Sequence, residues 1–236
     1  MKRIITLSLL VHSIFVFSQQ NLINVPSGEV TLKNKFFFQQ QLNFNEIIQS
    51  NTTLDYGLGS GFEVGLNVLG LNFNEKFKTF EFNDSNIIDP YNPLVLINGL
   101  KQFKLSDHTS ISVGSQFGIN FIENKHHSDA GLFYSNFKVE DWLFENSNFV
   151  IGPYYNTQHY GGFTDRVGLW LGTEIPLNEK FHVLGESVLG NNALSYSSFG
   201  VIYYPVKWMP LTLGAQIPNN KANAYAIVFE LTIIPL

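Results

Sequence analysis

The chain contains no cysteine. That excludes a disulfide framework and a thiolate metal centre, so its stability has to come from backbone pairing and packing. Charge is the second scarcity: Asp, Glu, Lys and Arg together make 14% of the sequence, against roughly 25% in ordinary soluble domains. A dissolved protein relies on a charged exterior to stay dispersed. Here Asn, Gln, Ser, Thr and Gly stand where charge would be. Basic residues are the scarcer sign, 14 against 19 acidic, for a formal net charge of -5. This balance excludes the clustered cationic surface that nucleic acid requires. No Gly-rich phosphate cradle is present. Long hydrophobic runs are missing as well. Beyond residue 18, no apolar stretch approaches the ~20 residues that a spanning helix needs.

Met1 to Ser18 reads MKRIITLSLLVHSIFVFS. A basic start, a short apolar run and a small residue before Gln19 are the layout of a secretory signal peptide. Residues 1–18 are therefore expected to be removed on export, leaving 19–236 as one domain. Twelve basic residues then face nineteen acidic ones, a net -7.

What the sequence does have is aromatic side chains, 22 Phe and 10 Tyr, and alternation. Ser110 to Phe121 reads SISVGSQFGINF, with Ile111, Val113, Phe117, Ile119 and Phe121 separated by Ser, Gly, Gln or Asn. Period two of this kind predicts a strand with one wet and one dry face. The pattern recurs over 29–44, 51–58, 62–73, 94–105, 110–121, 131–140, 149–158, 167–175, 181–189, 194–204, 211–217 and 225–234. About twelve strands result, most near the ~9–11 residues of a tilted membrane strand with some overhang. In the first, Val30, Leu32, Phe36, Phe38 and Leu42 oppose Lys33, Lys35, Gln39 and Gln41. In the third, Phe62, Val64, Leu66 and Val68 oppose Glu63, Gly65 and Asn67. In the last, Tyr225, Ile227, Phe229, Leu231 and Ile233 oppose Ala226, Val228, Glu230 and Thr232. No stretch carries a helical period, so the chain is all-β.

Two architectures use such strands. In a soluble sandwich the dry faces meet in a core, and the outer surface would be Ser, Gly, Asn and Gln. In a transmembrane barrel the dry faces meet lipid and the polar faces line a lumen. Gly is poor on an exposed soluble strand but fits the crowded interior of a barrel. Aromatic residues near strand ends, among them Phe36, Phe44, Tyr56, Phe62, Trp142, Tyr203, Tyr204, Trp208 and Tyr225, suit the two water–lipid boundaries. Tight connections at 59–61, 106–108, 176–180 and 205–210 are interleaved with longer or more polar ones at 45–50, 74–92, 123–130, 158–166 and 218–223. Short turns on one side and long loops on the other are periplasmic and extracellular ends. The connection 190–192 is a short exception and 141–148 a long one. The expectation is a single antiparallel up-and-down transmembrane β-barrel with about twelve strands.

The Ser18-Gln19-Gln20 junction and YGLGSGFEVGLN, Tyr56 to Asn67, resemble small Gram-negative outer-membrane β-barrel proteins of the kind common in Bacteroidota. The likeness is one of pattern and covers nearly the whole mature chain. It implies export through the Sec route, insertion by the barrel assembly machinery and contact with outer-membrane lipid. Such barrels usually finish on an aromatic residue, whereas this chain reads Ile234-Pro235-Leu236. Phe229 and Tyr225 keep the aromatic character of its last strand.

Chemistry-bearing residues are few. Glu123, His126, His127 and Asp129 in ENKHHSDAG, with His159 and Asp165, are of types that bind divalent metal. Adjacent histidines on extended backbone face opposite ways, however, and a solvated surface loop is the simpler reading of the cluster. His126 and Ser128 also have the spacing of an outer-membrane phospholipase pair but lack its surrounding motif. No catalytic residue, metal site or cofactor is assigned. The polar strand faces predict a lumen network of Lys33, Lys35, Glu63, Glu174, Glu186 and Glu230 that fills and stiffens the barrel. About twelve strands lie between a filled eight-stranded barrel and an open sixteen-stranded one. The functional expectation is a narrow porin-like channel for small solutes, with Glu75 to Asn92 long enough to fold inward as a constriction. The alternatives are a structural or partner-binding barrel working through its loops, and a lipid-modifying enzyme.

Overall fold

The computed structural model describes residues 21–81, 92–120, 130–162, 164–221 and 223–235. The leader 1–18 and the His126/His127 loop lie outside the described residues.

Among the described residues thirteen strands follow one another: β1 (Phe36–Phe44), β2 (Ile48–Gly59), β3 (Phe62–Asn74), β4 (Thr79–Glu81), β5 (Leu94–Lys104), β6 (Thr109–Asn120) and β7 (Ala130–Glu140), then β8 (Asn148–Asn156), β9 (Val167–Pro176), β10 (Phe181–Leu189), β11 (Tyr196–Val206), β12 (Met209–Pro218) and β13 (Ala226–Ile233). The only helix among the described residues is the single turn α1 (Gln158–Gly161). β4 is a three-residue hairpin partner of the end of β3, with Phe73 opposite Phe80. The remaining strands are the staves of a ring. Each pairs antiparallel with the next, and β13 pairs back onto β1 from Phe38↔Ile233 to Phe44↔Ile227. This closure satisfies every backbone edge, which a spanning sheet in hydrocarbon has to do. The tight turn after β2 is made by Gly59, Ser60 and Gly61, all at positive φ, a conformation that glycine adopts without steric penalty.

The alternation decides which face is which. On β6, Val113 is 52% and Phe117 50% exposed, while Ser110, Ser112 and Asn120 are buried. The same holds on β3, where Val64 and Leu66 are exposed between buried Glu63 and Asn67, and on β13, where Ile227 and Phe229 flank buried Val228. Apolar side chains exposed all round a closed sheet exceed any patch a soluble monomer carries, and form the band that faces acyl chains. The chain is a transmembrane barrel. Aromatic pairs sit at the short-turn rim: Phe36 with Tyr56 at 4.8 Å, Phe181 stacked on Tyr203 at 5.0 Å, and Trp142 with Phe149 at 5.5 Å. Lys101 stands 4.0 Å over Phe62 at the same level, its ammonium near the headgroup region and its ring partner below.

Two expectations need correcting. Tyr204 does not belong to the outer girdle. It is buried on the inward face, one residue out of phase with Tyr203. The first stave begins at Phe36, not at residue 29. Asn34 turns the chain at φ 61, and further back Pro26 lacks a ladder donor and Gly28 sits at φ 80, so the segment before Phe36 does not continue the sheet. It goes inside instead.

Candidate functional site: the lumen and its inner segment

Residues 21–31 run within the ring. The Leu22 N–H donates to the Val25 carbonyl at 2.9 Å and Asn21 bridges to Pro26, so 21–26 form a tight reversal. Leu22, Ile23 and Val25 are all at most 2% exposed. Leu22 and Val25 pack with Leu94, Leu132, Trp170 and Val188 on one wall, and Ile23 packs with Leu184, Ile202 and Val228 on another. The walls make room for them with glycine: a Cβ on Gly214 would come within 2.9 Å of Ile23 Cδ1, and one on Gly172 would collide with Leu22.

One carboxylate holds the reversal. Glu186 on β10 accepts the backbone N–H groups of Ile23, Asn24 and Val25, each at 3.0 Å, and the Asn24 side-chain amide at 2.8 Å. Three successive N–H groups converging on an anion form a nest, worth more where it is buried than in water. Asn24 is itself held by Gln216, which donates to its Oδ1 at 3.0 Å. Below the reversal, Asn136 donates to the Pro26 carbonyl at 2.6 Å and accepts the Trp170 indole N–H at 2.5 Å. Gln102 donates to the Gly28 carbonyl at 3.0 Å. Glu29 pairs with Lys138, which also reaches Glu140 at 3.0 Å. Thr31 donates its N–H to Glu63 at 2.7 Å and its hydroxyl to the same oxygen at 3.0 Å. The segment then leaves past Gly57, where Lys33 makes a parallel bridge. A side chain at Gly57 would overlap the Thr31 and Leu32 carbonyls.

The expected lumen residues therefore divide. Glu63, Glu174, Glu186 and Glu230 are all buried inside the ring. Glu63 and Glu186 grip the inner segment, while Glu174 bonds His182 at 2.5 Å and Tyr204 at 3.3 Å. Lys33 and Lys35 are exposed at the short-turn rim, because the turn around Asn34, at φ 61, separates them from the strand whose phase they were assigned. Lys138 supplies the buried ammonium instead. The described interior is strongly acidic: Asp55, Glu63, Glu174, Glu186 and Glu230 are buried against the single buried lysine, Lys138.

Above the reversal, on the long-loop side, a cavity of about 360 Å³ opens, floored by Ile23, Asn24 and Pro26. Its polar wall is a run of amides: Asn21 donates to Gln39 at 2.7 Å, Gln41 to Asn43 at 2.8 Å, and Asn43 to Gln49 at 3.1 Å. The opposite wall carries Leu94, Leu132, Trp170 and Tyr160. Tyr160 comes from α1 and donates to Gln116 at 2.8 Å; burial pushes its phenol well above the usual range. Asparagines tie part of the lip together. Asn192 donates to the Asp165 carbonyl at 2.9 Å, Asn219 to Val188 at 3.0 Å, and Asn223 to Ser195 at 3.2 Å.

Of the 75–92 connection, Thr79–Glu81 pair back onto the end of β3, with Phe77 and Phe80 exposed, while Asn92 lines the cavity. Phe82 and Tyr91 lie outside the described residues. The inward fold expected of 75–92 falls largely on residues outside the described ones; among the described residues, 21–31 narrow the lumen. Glu29 and Lys138 were not expected as a pair, nor was Asn24 as a contact. The signal for them was the doublet Leu22-Ile23 followed by Pro26 and Gly28, which breaks period two. Among the described residues no group of three or more His, Asp or Glu can hold a metal. His108 faces Asp141 at 3.1 Å on the short-turn rim.

Ring, girdle and lumen define a transmembrane barrel of the outer-membrane type with twelve staves, its interior partly occupied by its own chain. Among solved structures it is similar to a KdgM porin in complex with disordered oligogalacturonate. The TM-score is 0.57 at 8% identity, over 84% of this chain and 98% of that one. At that identity the likeness is one of fold. No protein-family model and no curated protein matches the sequence.

Proposed function

We propose that the protein is a narrow porin-like channel for small solutes in the outer membrane of a Gram-negative bacterium, closed in this conformation by residues 21–31. The observation that carries the reading is that the occupant of the lumen is not part of the wall. The ring is complete without it, and a 360 Å³ cavity already reaches it from the long-loop side. Eight staves would leave room only for side chains; twelve enclose a folded-over peptide as well. The porin-like fold supports the same reading. The acidic lower lumen disfavours polyanions, which would meet buried carboxylates without matching cations. Outer-membrane lipid and the assembly machinery are the partners of the barrel, and no catalysis is assigned to it. The Bacteroidota affiliation rests on Ser18-Gln19-Gln20 and Tyr56 to Asn67.

The test is conductance in planar bilayers. The intact protein is expected to be closed or to open rarely, and a variant lacking residues 21–31 to conduct steadily. Heat-dependent mobility on gels checks that both are folded. A folded deletion variant that never conducts removes the channel reading and leaves the loop-mediated, partner-binding one.

A further inference from the structure

We infer that the cavity on the long-loop side is a binding site for a small, uncharged, polyhydroxylated solute, a neutral saccharide. This rests on the channel reading and names the solute class that such a channel would take. Thirteen of the twenty-eight described lining residues are Asn or Gln, and none carries a formal charge. A carboxamide offers both donors and an acceptor, which matches a hydroxyl that is itself both. An anion or a cation entering this cavity would shed water and meet no counter-charge among the described lining residues, whereas a sugar exchanges water for amides at little loss.

The cavity is also two-sided in the way a sugar ring is. Gln39, Gln41 and Gln49 face it from one wall, and Trp170 and Tyr160 from the other. A pyranose presents hydroxyls at its edge and C–H groups on its face, so the amides take the edge and the apolar lining, which includes Leu69, Leu94, Leu132 and Leu194, takes the face. The amides are ordered beforehand by their mutual hydrogen bonds, which lowers the entropy lost on binding. One donor awaits an acceptor. Gln39 is 4% exposed, and its Nε2 is buried with no hydrogen-bond partner among the described residues. A buried donor left unmade is destabilising unless a ligand or water completes it. The volume, about 360 Å³, lies at the small end of the ~300–1,000 Å³ range of ligand sites. Oligogalacturonate carries a carboxylate on every ring. Neither the uncharged described lining of the cavity nor the acidic lumen beneath it suits such a chain.

Isothermal titration of the full mature protein in detergent micelles tests this, with maltotriose, cellobiose and digalacturonate as probes. At least one neutral sugar is expected to bind with millimolar affinity or tighter. Digalacturonate is expected to bind about ten-fold more weakly or not at all. The double variant Gln39→Leu, Gln41→Leu is expected to weaken the neutral sugar by about ten-fold or more, the loss typical when hydroxyl partners are removed from a site built for them. Should that variant fail to fold on heat-shift gels, Gln49→Leu at the mouth serves instead. No heat from either neutral sugar, digalacturonate binding as tightly, or unchanged affinity in the folded variant each overturns the inference. Titration needs no open pore, so the two readings fail separately. Sugar binding with a non-conducting deletion variant defeats the channel alone, and steady conductance without sugar binding defeats the saccharide site alone.

Discussion

Replacing Glu186 by alanine should release the inner segment. The carboxylate accepts three backbone N–H groups and one side-chain amide. Hydrogen bonds to a charged acceptor are each worth ~1.5–3 kcal/mol, and the three N–H groups would stay buried without an acceptor unless the reversal moved out. Allowing for water that enters the vacated space, the docked state should lose about 3–6 kcal/mol. At 1.4 kcal/mol per decade, even the lower bound shifts the ratio of docked to undocked segment by about a hundred-fold. The apolar anchors Leu22, Ile23 and Val25 are untouched, so docking weakens without the ring being altered. Single-channel recording should show open events far more often in Glu186→Ala than in the parent, with the amplitude of the variant lacking 21–31. Glu186→Gln keeps an acceptor oxygen with two lone pairs and should fall between them. A Glu186→Ala protein that is folded, inserted and as silent as the parent would refute the reasoning, because the nest would then not be what holds the segment.

Lys138→Met leaves Glu29 and Glu140 without their ammonium, and losing one partner of a buried pair typically costs ~3–5 kcal/mol. In a double-mutant cycle Glu29→Gln should recover part of that loss in urea unfolding from vesicles. Asn136→Ala strands the Pro26 carbonyl and the Trp170 indole together, about 1–3 kcal/mol for each group left unsatisfied. It should lower the heat-shift midpoint and redden Trp170 emission. Val113→Lys places a charge in the middle of the lipid-facing band, where ~2–4 kcal/mol is expected. Folding yield into vesicles should drop for it and not for Gln116→Lys, which faces the lumen.

The staves were legible because lipid outside and polar groups inside impose period two on every strand. Ile111, Val113, Phe117 and Ile119 fall outward as their spacing says. Boundaries matched within a few residues except at the start. There the phase of Val30 and Leu32 ran on smoothly into Phe36, and Lys33 and Lys35 were carried into the lumen with it. Period two reports a face only while the backbone stays in the sheet, and the turn at Asn34 resets it. The inner segment obeys a different rule. Its apolar side chains reach two walls at once, so Leu22, Ile23 and Val25 look like a fragment of strand without being one. Of the carboxylates, Glu63, Glu174, Glu186 and Glu230 were legible by phase. Their partners were not, since Glu186 answers to backbone N–H groups, which no composition reveals.

A ring sewn shut by its first and last staves cannot be completed in instalments. The seam from Phe38↔Ile233 to Phe44↔Ile227 joins stretches from nearly opposite ends of the polypeptide, so it is a slow, late event in folding. Residues 21–31 lie on the inner side of that seam, directly ahead of its first stave. The closed sheet encircles them, so the segment cannot leave sideways through the wall and can undock only along the axis of the barrel.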